Sequence, residues 1–195
     1  ELYEVEEVFR SMVNQCDEVF HSISGYSALK KFGIFVKEYP SSCDINGDAC
    51  KPAILFYQVA LTELLKHWGV QANSFMGVGL GELTAAHASD ALTLEEIIRM
   101  MHVRMSAPPK EHFTNEVEAI LEGRKPLPEK FISSISGESE PLDADYWWKN
   151  VTLKPDINAS VESILKKTQR LVFVEIASKS VMTQNIEPLL GGSQN

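Results

Sequence analysis

The most informative stretch of this sequence is FMGVGLGE, residues 75–82. The residues Ser74–Val78 have the composition of a β-strand, and a helix is predicted from about Gly81 to Ser89. Between the two, glycines occupy positions 77, 79 and 81, and glycine tolerates the positive φ that a very tight turn requires. The stretch therefore predicts a sharp strand–turn–helix element.

Three interpretations of this turn are open. In hydrolases and acyl transferases a G-x-S-x-G elbow exposes a serine at its apex, beside backbone N–H groups that hold an oxyanion. Here the apex residue is Gly79, which has no side chain to attack a substrate. A glycine-rich turn can also hold phosphate at a helix N-terminus, but this one has neither the dinucleotide spacing nor a Walker lysine. The third interpretation is a turn with no chemistry.

The rest of the chain alternates helical and strand-like patterns. Apolar residues at spacings of three and four predict a long amphipathic helix from about Glu4 to Ser22. Pro52 opens a second helix, Ala53 to Trp68, whose apolar residues on all sides predict a central, buried position. Further helices are predicted at residues 28–36, 94–105, 113–121 and 157–165, the second of these after a Thr93–Glu96 capping box. Another predicted helix contains Tyr146 and Trp147.

Two more strands are predicted, at Phe131–Ile135 and at Leu171–Ile176. The second reads LVFVEI, a continuous apolar run typical of parallel strands that are covered on both faces. Strands alternating with helices predict an α/β fold for residues 1–190. Residues 40–48 are predicted to form an exposed loop, and residues 191–195 a disordered tail or linker.

Composition narrows the class of protein. A chain of 195 residues fits one main domain. Its net charge of -9 repels phosphate backbones, so we expect no nucleic-acid partner. The sequence has no apolar stretch of 18 residues, and its start, ELYEVEEVFR, lacks the pattern of a signal peptide. We therefore expect a cytoplasmic protein without a membrane partner.

The cysteines indicate neither a metal site nor a clear nucleophile. Cys16, Cys43 and Cys50 are an odd number and have no metal-binding spacing, so no metal is expected. We interpret them as free thiols in a reducing cytosol, with a Cys43–Cys50 disulfide as the alternative. Any of the three could in principle replace a serine nucleophile, but Cys16 lies on an apolar helix face.

Seven segments occur in an order that resembles one known family, the acyltransferase domains of modular polyketide synthases. The same family includes the malonyl-CoA:acyl-carrier-protein transacylases. The segments are KPAIL (51–55), LLKHWGV (64–70), GVGLGELTAAH (77–87), DALTLEE (90–96), FISSISG (131–137), DADYW (143–147) and VFVEI (172–176). The resemblance implies an α/β-hydrolase-like core, with a nucleophile elbow and a small parallel sheet flanked by helices.

The chain departs from the family pattern at its reactive positions. The family elbow reads G-H-S-x-G-E, whereas this one reads Gly77, Val78, Gly79, Leu80, Gly81 and Glu82. The catalytic histidine of the family best matches His112, and its carboxylate-binding arginine best matches Arg104. Without a serine to deprotonate, we interpret His112 and Arg104 as relics of a catalytic site.

Other parts of the family pattern are missing. Only residues 105–111 separate Arg104 from His112, so the ferredoxin-like subdomain that the family carries there is expected to be absent. The glycine/glutamine strand that supplies part of the family's oxyanion hole is also not found, and we expect the chain to be a fragment of a larger protein. The stretch Ser178–Ser180 stands where the family carries a G-P-H-P-like loop.

The resemblance and these departures together predict a pseudoenzyme: a truncated, inactive acyltransferase-like domain with a structural or docking role in a polyketide synthase. Its expected partners are neighbouring ketosynthase, methyltransferase or acyl carrier protein domains, and no cofactor is expected. One alternative is an active acyltransferase or malonyl decarboxylase with an unusual site. The other is a module that binds an acyl carrier protein without reacting.

Overall fold

The computed structural model describes residues 1–35, 50–167, 171–177, 180 and 182–190. Two short strands and a series of helices make up this part of the chain. The helices are α1 (Leu2–Val5), α2 (Glu7–Ser24), α3 (Ala28–Phe32), α4 (Cys50–His67), α5 (Gly81–Ala88), α6 (Leu94–Met105), α7 (Lys110–Leu121), α8 (Ala144–Thr152), α9 (Ile157–Lys167) and α10 (Thr183–Leu190), and the strands are β1 (Phe75–Met76) and β2 (Phe131–Ile132).

The long helix predicted at the start of the chain is present but divided. Glu6 adopts an extended conformation, with φ -97° and ψ 108°, and separates α1 from α2. The apolar face of α2 packs on α4, where the Phe9 ring lies 6.1 Å from the Tyr57 ring and the Phe20 ring 6.2 Å from the Phe56 ring. This helix pair forms one wall of the core, and α5 and α6 pack against it.

The sheet is parallel, as predicted, but smaller than predicted. β1 pairs with β2 in the register Phe75 to Phe131 and Met76 to Ile132. Each strand has two residues, where the sequence predicted five. The strand predicted at 171–176 is wrong, because these residues form no strand in the described structure. A β-prone segment forms a ladder only when a neighbouring strand is available, and none of the described residues supplies one.

Local signals placed several helix starts correctly. The capping box before α6 is confirmed: Glu96 N donates to Thr93 Oγ1 at 3.2 Å, and Thr93 N donates to Glu96 Oε2 at 2.7 Å. The Asp143 side chain caps α8 by accepting from Tyr146 N at 3.0 Å. α10 was not predicted. Its apolar residues are few, and Pro188 interrupts the pattern.

Several predictions fall outside the described residues. They are the loop at 40–48, Val36 at the end of the third predicted helix, the Cys43–Cys50 pair, Ser178 and Lys179, and the tail at 191–195. None of the described helices has the length and apolar character needed to span a bilayer.

Candidate functional site

The candidate site is built around the turn that joins β1 to α5. Gly79 has φ +58°, in the left-handed region, so the sharp turn predicted from the glycines is confirmed. Gly81 N donates to Val78 O at 3.0 Å, and Glu82 N donates to Gly79 O at 3.3 Å, which starts the helix immediately after the apex. This is the geometry in which a nucleophile elbow presents its central residue.

The three glycine positions of the turn differ in how strictly they require glycine. A Cβ on Gly77 would lie 2.1 Å from both C and O of Gly81, which no real side chain can tolerate. A Cβ on Gly79 would meet no atom within 4 Å, so only its positive φ favours glycine. A Cβ on Gly81 would lie 3.7 Å from the Gln58 side chain, an ordinary contact. The apex therefore has room for a side chain that the sequence does not supply.

Gln58, on α4, is hydrogen-bonded to α5, the helix that follows the turn. Its Oε1 accepts from Thr84 Oγ1 on α5 at 3.1 Å, and its Nε2 donates to Ile176 O at 3.0 Å. One side chain thus holds the elbow helix and the segment at 171–176 against α4.

A buried polar cluster lies behind the elbow, centred on Glu82. Its side chain is fully buried. Glu82 Oε1 accepts from Ser134 N at 2.6 Å, and Oε2 accepts from Tyr146 Oη at 2.7 Å and from Asn150 Nδ2 at 2.6 Å. Because these donors lie on the chain after β2 and on α8, Glu82 fixes the elbow helix to two distant parts of the fold.

Arg104 belongs to the same cluster. Its Nη2 donates to Asn150 Oδ1 at 2.6 Å, so Asn150 bridges Arg104 and Glu82. Its Nη1 is buried and has no hydrogen-bond partner among the described residues. Burial lowers the pKa of Arg104 to about 10, and the negative charge of Glu82 opposes this shift. Arg104 is the residue that the sequence matched to a carboxylate-binding arginine. Its Nη2 is hydrogen-bonded inside the protein, whereas its Nη1 is not hydrogen-bonded to any described residue.

Burial also shifts the pKa values of the two acidic groups of the cluster, Glu82 and Tyr146. It raises the pKa of Glu82 above its ordinary value of 4.5, although hydrogen bonds from Ser134 and Tyr146 and the charge of Arg104 act in the opposite direction. Burial, followed by the charge of Glu82, raises the pKa of Tyr146. Tyr146 therefore stays neutral at physiological pH and acts as a hydrogen-bond donor.

The raised pKa of Glu82 predicts a pH dependence of stability. The folded protein holds this proton more tightly than the unfolded chain does. As the pH rises above 4.5, the unfolded chain loses the proton first, so the contribution of Glu82 to the free energy of unfolding falls and levels off above the folded-state pKa. We therefore compare the free energy of unfolding of the wild type with that of Glu82→Gln. The difference, wild type minus variant, is expected to decrease as the pH rises through this range.

Urea unfolding of both proteins at a series of pH values measures this difference, and all other carboxylates cancel in the comparison. A difference that stays constant or increases as the pH rises would show that the pKa of Glu82 is not raised.

His112 is not part of this cluster. It lies on the exposed surface of the first turn of α7, and no described hydrogen bond joins it to Arg104 or to the elbow. The structure thus brings Arg104, but not His112, into contact with the residues that hold the elbow. Among the described residues, no group of three or more acidic, histidine or cysteine side chains is placed to hold a metal ion.

Cys16 is unsuited to act as a replacement nucleophile. It is fully buried on α2, and burial, with the nearby Asp17 charge, raises its pKa to about 12. Since the thiolate is the reactive form, this thiol is inert at neutral pH. Cys43 and the side chain of Cys50 lie outside the described residues.

Sequence analysis missed the residues around Glu82. A glutamate in the first turn of a helix is usually explained by the helix dipole. The available signal was that Glu82 is followed by Leu83 and several alanines, which indicates a buried helix, and a buried carboxylate needs hydrogen-bond donors. The sequence did not reveal that Tyr146 and Asn150 supply them.

Comparison with known proteins identifies relatives of this chain. Residues 1–119 match the family model of the acyl transferase domain. "Probable polyketide synthase 3" of Dictyostelium discoideum is 32% identical over 136 residues, which are 70% of this chain and 5% of that protein. "Probable polyketide synthase 10" of the same organism is 28% identical over 147 residues, 73% of this chain and 5% of that protein. The chain thus spans about one twentieth of these relatives.

Solved acyltransferase structures share the fold. The loading acyltransferase of the avermectin modular polyketide synthase superposes with a TM-score of 0.78 at 18% identity, covering 98% of this chain and 86% of that one. The acyltransferase domain from module 8 of the salinomycin polyketide synthase gives 0.79 at 19% identity, covering 98% of this chain and 64% of that one. These likenesses show the fold alone. With the family match over residues 1–119, they lead to one conclusion: the chain belongs to the acyl transferase domain family, as the polyketide synthases carry it.

Proposed function

We propose that this chain is an acyltransferase-like domain of a polyketide synthase that does not transfer acyl groups and instead has a structural role between neighbouring domains. One observation carries the proposal. The elbow has the left-handed apex of a nucleophile elbow, but the residue there is Gly79, which has no side chain to acylate. Nucleophilic catalysis requires an activated side chain at that point.

The surroundings of the elbow support this proposal. Cys16 is buried and un-ionised, and His112 is exposed and not hydrogen-bonded to the elbow. Neither residue is therefore placed to replace the nucleophile or to activate one.

The connection between α6 and α7 supports the absence of a substrate-binding subdomain. α6 ends at Met105 and α7 begins at Lys110, so residues 106–109 are all that joins them. The two helices also pack on each other. We propose that residues 1–190 form one hydrolase-like unit without the ferredoxin-like part.

The size of the relatives supports the proposed docking role. The chain spans about 5% of the Dictyostelium polyketide synthases that it matches. A unit of this size within such a protein has neighbours, and we propose ketosynthase, methyltransferase or carrier protein domains as the partners.

Incubation with malonyl-CoA tests the absence of transfer. We expect intact-mass spectrometry to show no stable mass gain, because the elbow lacks an acceptor and Cys16 lacks a thiolate. A sample with alkylated cysteines serves as the control for adventitious thiol acylation. A malonyl adduct that persists in this control and maps to one residue would contradict the proposal.

A second candidate function is favoured by Arg104. Its buried Nη1 has no hydrogen-bond partner in the part of the chain that the structure describes, and a buried guanidinium is well suited to bind a carboxylate. This observation supports a module that holds a malonyl-type group on a carrier protein without reacting. Pull-down with malonyl-loaded and acetyl-loaded carrier protein distinguishes the two, since only the malonyl group offers a carboxylate. Release of CO2 from malonyl-CoA would instead support a decarboxylase.

A further inference from the structure

Asn150 lies between two groups of opposite hydrogen-bonding character. Its Nδ2 donates to Glu82 Oε2 at 2.6 Å, and its Oδ1 accepts from Arg104 Nη2 at 2.6 Å. A carboxylate accepts hydrogen bonds, a guanidinium only donates them, and an amide does both. The amide of Asn150 therefore satisfies both neighbours, and these neighbours fix its orientation.

The contact with Asn150 leaves the Arg104 guanidinium enclosed but incompletely bonded. Asn150 is buried, at 7% exposure, and Arg104 Nη1 is also buried. Of the two terminal nitrogens of Arg104, only Nη2 has an acceptor anywhere in the described ranges. A buried donor without an acceptor is destabilising, so this closed arrangement favours any acceptor that can reach Nη1.

A carboxylate is a better acceptor for this guanidinium than the Asn150 amide. Its two oxygens can accept from both terminal nitrogens at once, and hydrogen bonds between charged groups are roughly twice as strong as neutral ones. Asn150 offers one neutral oxygen. The amide can release Arg104 and keep its bond to Glu82, because that bond uses Nδ2. Exchange of Asn150 Oδ1 for an external carboxylate would thus give Nη1 an acceptor.

We propose that Asn150 is an internal ligand that keeps Arg104 closed, and that a malonyl-type carboxylate binds Arg104 only after the Asn150–Arg104 bond opens. This regulation rests on the carboxylate-binding function proposed above for Arg104. Because Glu82 on the elbow helix orients Asn150, the elbow and Arg104 are connected through a single amide.

Phenylglyoxal, which modifies accessible guanidinium groups, tests the closure in the whole 195-residue chain without a ligand. Digestion and mass spectrometry give the rate of modification at Arg104, with Arg99 on the same helix as the internal reference, since the Arg99 side chain is 41% exposed. In the wild type, Arg104 is expected to react more slowly than Arg99. Asn150→Ala is expected to speed the reaction at Arg104 about tenfold or more, because a hydrogen bond to a charged group is lost, and to leave Arg99 unchanged.

Tyr146→Phe is the matched control. Tyr146 and Asn150 both lie on α8 and both donate to Glu82 Oε2, at 2.7 and 2.6 Å, but no described hydrogen bond joins Tyr146 to Arg104. The Arg104 rate in this variant is expected to stay close to that of the wild type. An equal increase in both variants, or an unchanged rate in Asn150→Ala, would overturn the proposal. If Asn150→Ala fails to fold by circular dichroism, Asn150→Ser replaces it, with a smaller increase expected.

Sodium malonate then tests the ligand, with malonamide at the same concentration and ionic strength as the neutral control. Malonate, but not malonamide, is expected to slow the reaction of Arg104 in Asn150→Ala, and the wild type is expected to need more malonate for the same effect. Faster modification in Asn150→Ala without malonate protection would contradict the carboxylate-binding function and support the closure. Equal malonate protection of wild type and Asn150→Ala would contradict the closure alone, so the two proposals fail separately.

Discussion

Replacing Gly77 by alanine is expected to prevent the elbow from folding. The added Cβ would lie 2.1 Å from C and O of Gly81 and 2.4 Å from Glu82 N. All of these are backbone atoms at the start of α5, so the clash cannot be relieved by rotating a side chain. We expect a loss of about 4 kcal/mol or more in the free energy of unfolding, which is a large part of the 5–15 kcal/mol typical of a domain. Urea unfolding followed by circular dichroism measures it.

The two other glycines of the turn are matched controls for this substitution. Gly81→Ala places its Cβ 3.7 Å from Gln58, and we expect a change within about 0.5 kcal/mol. Gly79→Ala meets no atom but keeps a left-handed φ of +58°, which costs about 1–2 kcal/mol. Equal stability of the Gly77 and Gly81 variants would show that the close approach of β1 to α5 is wrong.

Removing the Glu82 side chain is expected to have the second largest effect. Glu82→Ala leaves Ser134 N, Tyr146 Oη and Asn150 Nδ2 without their acceptor and leaves the charge of Arg104 uncompensated in the interior. Removing one charged partner from a buried, hydrogen-bonded cluster of this kind costs about 3–5 kcal/mol. The change is measured by urea unfolding at neutral pH.

Glu95→Ala on α6 is the control, because the Glu95 side chain is 68% exposed and lies 4.0 Å from Arg99. We expect a change of at most about 0.5 kcal/mol there. A double-mutant cycle with Tyr146→Phe separates the hydrogen bond from the cavity. Similar losses for Glu82→Ala and Glu95→Ala would contradict the buried cluster.

The fold was predictable where its signals are local. The alternating glycines predicted the turn at Gly79, and the Thr93–Glu96 spacing predicted the start of α6, since both depend on a few adjacent residues. The division at Glu6 was not predictable, because the apolar spacing continues across it. The strand prediction at 171–176 failed because a strand needs a neighbour, and sequence propensity contains no information about one.

The candidate site shows the same limit. The missing side chain at the apex of the turn could be predicted from the sequence, since the family pattern identifies position 79 as the apex and the residue there is glycine. The cluster of Glu82, Tyr146 and Asn150 could not, because its hydrogen bonds join residues 64 and 68 positions apart. The hydrogen bond from Arg104 to Asn150 was likewise hidden, because it joins residues 46 positions apart.

The bond between Gln58 and Ile176 also bears on the order in which the protein matures on the ribosome. Gln58 meets its acceptor 118 residues later in the chain. At a synthesis rate of 5–20 residues per second, this delay is roughly 6–24 seconds. The nascent helix that carries Gln58 therefore lacks this hydrogen bond throughout that interval.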